Sequence, residues 1–217
     1  MKHIKTAVLV ITLFTFVAIA CGNENPVDSV IQTENIGEKI NLETVSTLSI
    51  GDLTSTITEA LIFMREEEKL ARDIYAMMYK THSLKPFTNI NKSEQTHMDA
   101  IKTLLLKYEI EDPVKNDEAG VFKNTELQKL YQKLIDAEKI SVTEALKVGA
   151  AVEEIDILDL KKHLSELNNN DDIKYVYEKL MKASENHLRA FVRNLVSRGI
   201  VYTPQYLDQK TFDSIIE

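Results

Sequence analysis

The 217-residue chain has no tryptophan, a single cysteine, six glycines and four prolines. One cysteine, Cys21, cannot form an intramolecular disulfide, and it leaves the rest of the chain without a catalytic thiol. The scarcity of glycine and proline argues against a fold built from many tight turns. No segment alternates apolar and polar residues over the length of a strand, and the sequence contains no internal repeat. The composition therefore indicates a helix-rich protein.

Residues 1–20 have the character of an export signal rather than of a folded domain. Lys2 and Lys5 precede an apolar run that ends at Ala20, directly before Cys21. The run is shorter than the roughly 20 residues that a membrane-spanning helix needs. It resembles a bacterial lipoprotein signal peptide, which implies that Cys21 is lipidated and holds the protein on the membrane, outside the cytoplasm, on a periplasmic or cell-surface face. The alternative is an ordinary secretory peptide that happens to contain a cysteine.

The remaining chain is acidic. Without residues 1–20 it has 24 Lys and Arg against 34 Asp and Glu, a net charge of −10. Such a protein repels a phosphate backbone, so nucleic acid is not an expected partner. Residues 21–51 are polar and lack helical periodicity, which predicts a flexible tether behind Cys21, the residue whose lipidation the resemblance implies. The folded domain is expected over residues 52–217.

From Leu53 onward, apolar residues recur with the spacing of amphipathic helices. Four long helices are predicted, at residues 53–82, 91–112, 141–167 and 171–198. A shorter helix is predicted at residues 124–137, Ser141 and Glu144 form a capping box, and Gly199 is a C-terminal cap. The long connection between the second and third long helices does not suit simple up-and-down packing. The prediction is an all-α, ferritin-like four-helix bundle whose crossover contains the extra short helix.

Glu94 and His97 suggest metal binding on the second long helix. Residues at i and i+3 leave the same face of a helix, so a carboxylate oxygen and an imidazole nitrogen can chelate one ion. A single Glu-x-x-His pattern is common by chance, and a lone histidine on an apolar face is more often hydrogen-bonded than metal-bound. The other three long helices therefore decide between the two interpretations.

Those helices also carry polar groups on their apolar faces. At 100° per residue, Glu153 lies at the centre of the apolar face of the third helix, and His187 lies at that of the fourth. On the first helix Glu67 and Glu68 both border the apolar stripe, and periodicity alone slightly favours Glu67. Asp156 is expected at the edge of the apolar face of the third helix, where its side chain can reach the bundle interior.

Two further acids are expected away from the interior. Glu154 lies about 100° from Glu153 and Glu185 about 160° from His187, so the first should be peripheral and the second should face solvent. Buried carboxylates without a partner cost several kcal/mol or take up a proton. Several buried acids and histidines at one depth therefore predict a shared metal cluster, and the alternative is a buried hydrogen-bond network.

The same residues resemble the ferritin-like di-iron carboxylate superfamily. The run EKLARDIY, which begins at Glu68, looks like the first-helix ligand motif of ferritins, bacterioferritins and rubrerythrins, and this similarity selects Glu68 over Glu67. More narrowly, EEEKLARDIY, SEQTH, VEEIDILDL, SENHLRAF and YTPQY resemble a DUF2202-type family over residues 53–217. The ligands that the resemblance implies are Glu68, Glu94, His97, Glu153 and His187.

The resemblance implies two metal ions, with iron first and manganese as the alternative, and redox activity that depends on oxygen or peroxide. Ser184 departs from the superfamily, whose fourth-helix motif has glutamate there, so the second metal position is expected to be weaker. Asp156 or a water could complete the coordination. The residues expected around the metals are Glu67, Tyr75, Asp156 and Ser184.

A second function stays open beside the oxidoreductase. A non-catalytic metal-binding or interaction module could keep the same fold, and Ser184 is its main support. A lipidated chain with a long tether is badly suited to closing an iron-storage shell. The expected partner is the membrane, through the lipid on Cys21, and the sequence leaves a homodimer open.

Overall fold

The computed structural model describes residues 40–217, which form seven helices and no strand. The predicted signal segment 1–20, Cys21 and most of the predicted tether lie outside the described residues. The all-α prediction is confirmed for the described residues. None of the helices in these residues combines the length and the hydrophobicity of a membrane-spanning helix. The helices are α1 (Leu42–Thr47), α2 (Ser55–His82), α3 (Lys85–Lys107), α4 (Thr125–Glu138), α5 (Val142–Ser165), α6 (Asp171–Val196) and α7 (Gln209–Ile216).

The junction between α2 and α3 is tighter than the sequence predicted. Thr54 caps α2 by accepting a hydrogen bond from the backbone N–H of Ile57, and the residue that follows the last helical residue His82 is Ser83, which has a left-handed φ of 56°. α3 begins at Lys85, six residues before the predicted start at residue 91, because Pro86 lies in its first turn. Proline fits there, since its missing N–H would have no helical partner. Pro86, which suggested a gap between the two helices, therefore lies in the first turn of α3.

The long helices pack mainly as two pairs, α2 with α3 and α5 with α6, and the pairs meet through α2–α5 and α3–α6 contacts. The buried apolar residues form two clusters, and on α2 one cluster ends at Met64 while the other begins at Leu70. On α6 the clusters contain Leu180 and Leu188, respectively. Polar side chains occupy the interval between the two clusters on both helices. The core therefore has a polar layer at mid-height.

Charged residues of α2 fix the connection that leads to α4. The Lys69 ammonium contacts Asp73 Oδ2 at 2.6 Å and the carbonyl oxygen of Glu118 at 2.7 Å. The Glu66 carboxylate accepts hydrogen bonds from the backbone N–H groups at the start of α4, including that of Asn124 at 3.0 Å. These contacts explain why α2 buries so many charges that face away from the polar layer.

The structure corrects the predicted tether at its C-terminal end. Residues 42–47 form α1, capped by the side chain of Asn41, and Val45 is fully buried. The Lys107 ammonium donates to the carbonyl oxygen of Val45 at 2.9 Å. A helix of six residues is too short to show amphipathic periodicity, so the sequence pattern did not reveal it.

Glu154 was expected at the periphery, and this expectation is wrong. Glu154 is fully buried and accepts hydrogen bonds from the Tyr202 hydroxyl at 2.6 Å and from the backbone N–H groups of Gln205, Tyr206 and Leu207 at 2.9, 2.7 and 2.8 Å. The segment that follows α6 crosses this carboxylate and leads into α7, which packs on α6. One acid therefore anchors the C-terminal segment.

Replacing Glu154 with glutamine should lower the free energy of unfolding by about 2 kcal/mol, because the amide NH₂ would face backbone N–H donors and leave them unsatisfied. Urea denaturation of the metal-free protein measures the change. Glu185→Gln is the matched control, since Glu185 is partly exposed and pairs with Arg189 at 3.7 Å. Equal stability of the two variants would show that Glu154 does not anchor the segment.

Candidate metal centre

The four long helices bring the five ligand candidates together. Their potential ligand atoms form two groups, each within 4.8 Å, and Glu94 belongs to both. All of these side chains are buried except His187, which is 12% exposed. The first group is Glu68, Glu94 and His97, and the second is Glu94, Glu153 and His187.

Glu94 lies between the two histidines. Its Oε2 atom is 2.5 Å from His97 Nδ1, and its Oε1 atom is 3.0 Å from His187 Nδ1. Glu68 Oε2 lies 3.1 Å from His97 Nδ1, and Glu153 Oε2 lies 3.4 Å from His187 Nδ1. The two imidazole rings stack with centroids 5.9 Å apart. The two oxygens of Glu94 thus serve two adjoining groups, each with its own carboxylate and histidine.

One polar atom of the cluster, Glu68 Oε1, is buried and lacks a hydrogen-bond partner among the described residues. The buried atoms Glu94 Oε1 and His187 Nδ1 face each other at 3.0 Å. Buried polar atoms are rarely left unsatisfied, because desolvation without a new bond is costly. Carboxylate oxygens and an imidazole nitrogen are also the donor types that iron and manganese accept. The donor set and the unpaired Glu68 oxygen therefore fit divalent metal ions.

The charges in the cluster depend strongly on one another. Burial raises the pKa of Glu68 to about 7, although His97 opposes the shift. Burial would also raise the pKa of Glu94, but the two histidines outweigh it and hold that pKa well below its usual range. Burial lowers the pKa of His187, but Glu94 and Glu153 raise it to about 10. Without metal, the histidine protons supply the positive charge that the carboxylates need. A metal ion would replace those protons.

Tyr75, expected near the metals, contacts the second group. Its hydroxyl donates to Glu153 Oε1 and lies 3.3 Å from the carbonyl oxygen of Gly149. The Phe191 ring packs on the Tyr75 ring with centroids 5.4 Å apart. A Cβ atom at Gly149 would lie 2.6 Å from the Phe191 ring, so only glycine allows this approach. Gly149 and Phe191 together fix the ring that orients Glu153.

Sequence analysis missed Ser93. Its hydroxyl lies 3.3 Å from His97 Nε2, the ring nitrogen that faces away from the carboxylates. A partner at this position fixes the orientation of the imidazole ring. The i, i+4 spacing of Ser93 and His97 on α3 was the available signal.

The structure decides between Glu67 and Glu68. Glu68 lies beside His97, whereas Glu67 hydrogen-bonds to Asp159, an acid that sequence analysis did not single out. Periodicity alone favoured Glu67, and this preference is wrong for the cluster. Glu67 and Asp156 line a small cavity between α2, α4 and α5. Both residues are buried and lie outside the two groups.

Comparisons with known proteins give a family but no activity. The model of the family described as "Uncharacterized protein domain (DUF2202)" matches residues 57–217. The uncharacterized protein MJ0754 of Methanocaldococcus jannaschii is 52% identical over 175 residues, which is 81% of this chain and 94% of that protein. The crystal structure of hypothetical protein MJ0754 from Methanococcus jannaschii DSM 2661 has a TM-score of 0.76 and covers 78% of this chain and 97% of its own.

The metal-free protein should lose stability as the pH rises from about 5 to about 8. Burial raises the pKa of Glu68 from 4.5 to about 7, so the folded state keeps a proton that the unfolded state has released, and the free energy of unfolding falls with rising pH. The raised pKa of His187 extends this fall to higher pH.

Glu68→Gln should reduce the fall by up to about 3 kcal/mol, measured by denaturant unfolding with a chelator present. Glu59, exposed on the same helix, gives the control variant Glu59→Gln. A pH dependence that is the same in both variants would contradict the assigned environment of Glu68.

Proposed function

We propose that this chain, which belongs to the DUF2202 family, is a ferritin-like metal-binding protein with a dinuclear carboxylate site and oxygen- or peroxide-dependent redox activity. The observation that carries the proposal is the position of Glu94, whose two oxygens lie against different histidines. A carboxylate in this position is suited to bridging two cations. The ferritin-like part of the proposal is supported by four long helices that all contribute to one centre and by the long crossover between α3 and α5.

The proposed ligands divide evenly around the bridge. Glu68 and His97 would hold one ion, Glu153 and His187 would hold the other, and Glu94 would contribute to both. Imidazole suits iron and manganese alike, so the donors favour either metal, and iron is the first choice. Bound iron would supply one-electron chemistry toward oxygen or peroxide.

The chain's own residues prepare the site for such chemistry. Apolar clusters on both sides of the polar layer limit access of water, which strengthens the electrostatic interactions inside it. Ser93 faces His97, and the Tyr75 hydroxyl donates to Glu153. These contacts hold the ligands in place before a metal arrives, which reduces the ordering that binding requires.

The second candidate function is a metal-binding or interaction module without turnover. The observation that favours it is Ser184, which is buried beside the cluster but offers no carboxylate from α6. Fewer strong ligands would leave one ion less tightly held. Such a module would bind metal but would not consume oxygen.

We further propose that the protein is held on a membrane outside the cytoplasm, on a periplasmic or cell-surface face, by a lipid on Cys21. The support is the sequence alone: a basic start, an apolar run and the chain's one cysteine directly after it.

Titration of Mn²⁺ into the chelator-treated protein should show two bound ions per chain. Each ion should stabilise the fold by about 2.7 kcal/mol at a hundredfold excess over its dissociation constant. Glu94→Gln should weaken both ions, and Glu185→Gln on α6 should weaken neither. Calorimetry and melting curves measure these effects, and no heat with no change in melting temperature would falsify the metal proposal.

Oxygen consumption with Fe²⁺ separates the two candidate functions. The protein should consume oxygen faster than Fe²⁺ in buffer, and Glu94→Gln should remove the excess rate, because the bridge between the two groups is lost. An oxygen electrode measures both. Metal uptake without oxygen consumption would favour the module without turnover.

Cys21→Ser should release the protein from the membrane fraction, because the residue that would carry the lipid is gone. Fractionation and mass spectrometry of the mature N-terminus measure the outcome. Unchanged partitioning with no lipid mass on the wild-type N-terminus would rule out the anchor.

A further inference from the structure

Asp156 and Ser184 form a pair beside the proposed metal site. Asp156 follows Glu153 by three residues on α5, so both carboxylates leave the same side of the helix. Asp156 is 7% exposed, and Ser184 on α6 is completely buried. Neither residue belongs to the two ligand groups described above.

One oxygen of Asp156 is held and the other is open. The Ser184 hydroxyl hydrogen-bonds to Asp156 Oδ2 and also lies 2.9 Å from the carbonyl oxygen of Leu180. Asp156 Oδ1 is buried and has no hydrogen-bond partner in the part of the chain that the structure describes. A carboxylate fixed by one oxygen presents the other without further rotation, as metal ligands commonly do.

Asp156 lies within electrostatic reach of the cluster. Burial raises its pKa well above the usual value, and the charges of Glu68 and Glu153 raise it further. A buried acid among acids is unfavourable unless a cation is near or the acid is protonated. The cations that would satisfy Glu68 and Glu153 would therefore also satisfy Asp156.

Charge balance gives an independent reason. Glu68, Glu94 and Glu153 carry three negative charges, whereas two divalent cations carry four positive ones, and the histidines are neutral when they bind metal. A net charge in a buried site is costly. A fourth carboxylate makes the site neutral.

We propose that Asp156 is the sixth ligand of the dinuclear site and that Ser184 positions it. The proposal rests on the metal-binding function proposed above. A serine on α6 is too short to reach a metal itself, but it leaves space for Asp156 and holds one of its oxygens. α5 then supplies, through a Glu-x-x-Asp pair, the carboxylate that α6 lacks, and the ligand set becomes four carboxylates and two histidines.

Mn²⁺ titration of the full-length protein tests this proposal by calorimetry, with the electron paramagnetic resonance signal of coupled Mn²⁺ pairs as a second readout. Asp156→Asn should weaken one ion roughly 100-fold and Ser184→Ala roughly tenfold, since loss of a partner that orients a metal ligand costs about 10- to 100-fold and loss of the ligand itself should cost no less than that partner. Asp159→Asn is the matched control on the same helix and should bind like the wild type. If Asp156→Asn does not fold, the weaker binding expected for Ser184→Ala still tests the proposal.

A double variant makes the test specific. Ser184→Glu in the Asp156→Asn background should restore the weakened ion to within a few-fold of wild type, because a carboxylate returns from α6. In the wild-type background the same change should tighten binding much less, because the fourth carboxylate is already present.

The outcomes separate the two proposals. A wild-type protein that binds no Mn²⁺ would end the metal-binding function itself. Two ions bound by Asp156→Asn with wild-type affinity would overturn the role of Asp156 alone. An equal effect of Ser184→Glu in both backgrounds would also overturn it.

Discussion

The burial of carboxylates is the constraint on which this structure depends. A carboxylate inside a protein must find a cation, hydrogen-bond donors or a proton, since desolvation alone costs several kcal/mol. In this chain Asp73 is satisfied by Lys69 and Arg72, at 2.6 and 2.8 Å. Glu154 is satisfied by backbone N–H groups and a tyrosine hydroxyl. Each of these acids also holds a connecting segment in place: Asp73 holds the crossover to α4, and Glu154 holds the segment after α6.

One helix supplies both kinds of buried acid. On α2, Glu66 and Asp73 face the crossover and bind its backbone, while Glu68 faces the polar layer. The alternation follows from 100° per residue, because neighbouring positions point to different partners. α2 therefore links the position of the crossover to the position of the cluster. A shift of this helix would disturb both at once.

Sequence patterns predicted the long helices and the convergence of the cluster better than they predicted the orientations of individual side chains. Periodicity placed Glu153 and His187 inward because each lies at the centre of a long apolar face. It ranked Glu67 above Glu68 because both border a broad stripe, and only the family resemblance separated them. It misplaced Glu154, since the backbone donors that bury this residue come from a segment about 50 positions later. Local periodicity carries no signal from such distant partners.

The remaining buried acids and the cluster are stabilised in different ways. Glu67 and Asp159 share a hydrogen bond that requires a proton, and burial raises the pKa of both, so this pair can hold a proton and reduce its negative charge without a cation. The cluster is different, because Glu94 has its pKa held below the usual range and stays charged between two histidines. Glu94 Oε1 lies 3.0 Å from His187 Nδ1, and Glu94 Oε2 lies 2.5 Å from His97 Nδ1. A shared proton stabilises the Glu67–Asp159 pair, but Glu94 needs a positive charge beside each of its oxygens, which the two protonated histidines supply in the metal-free protein.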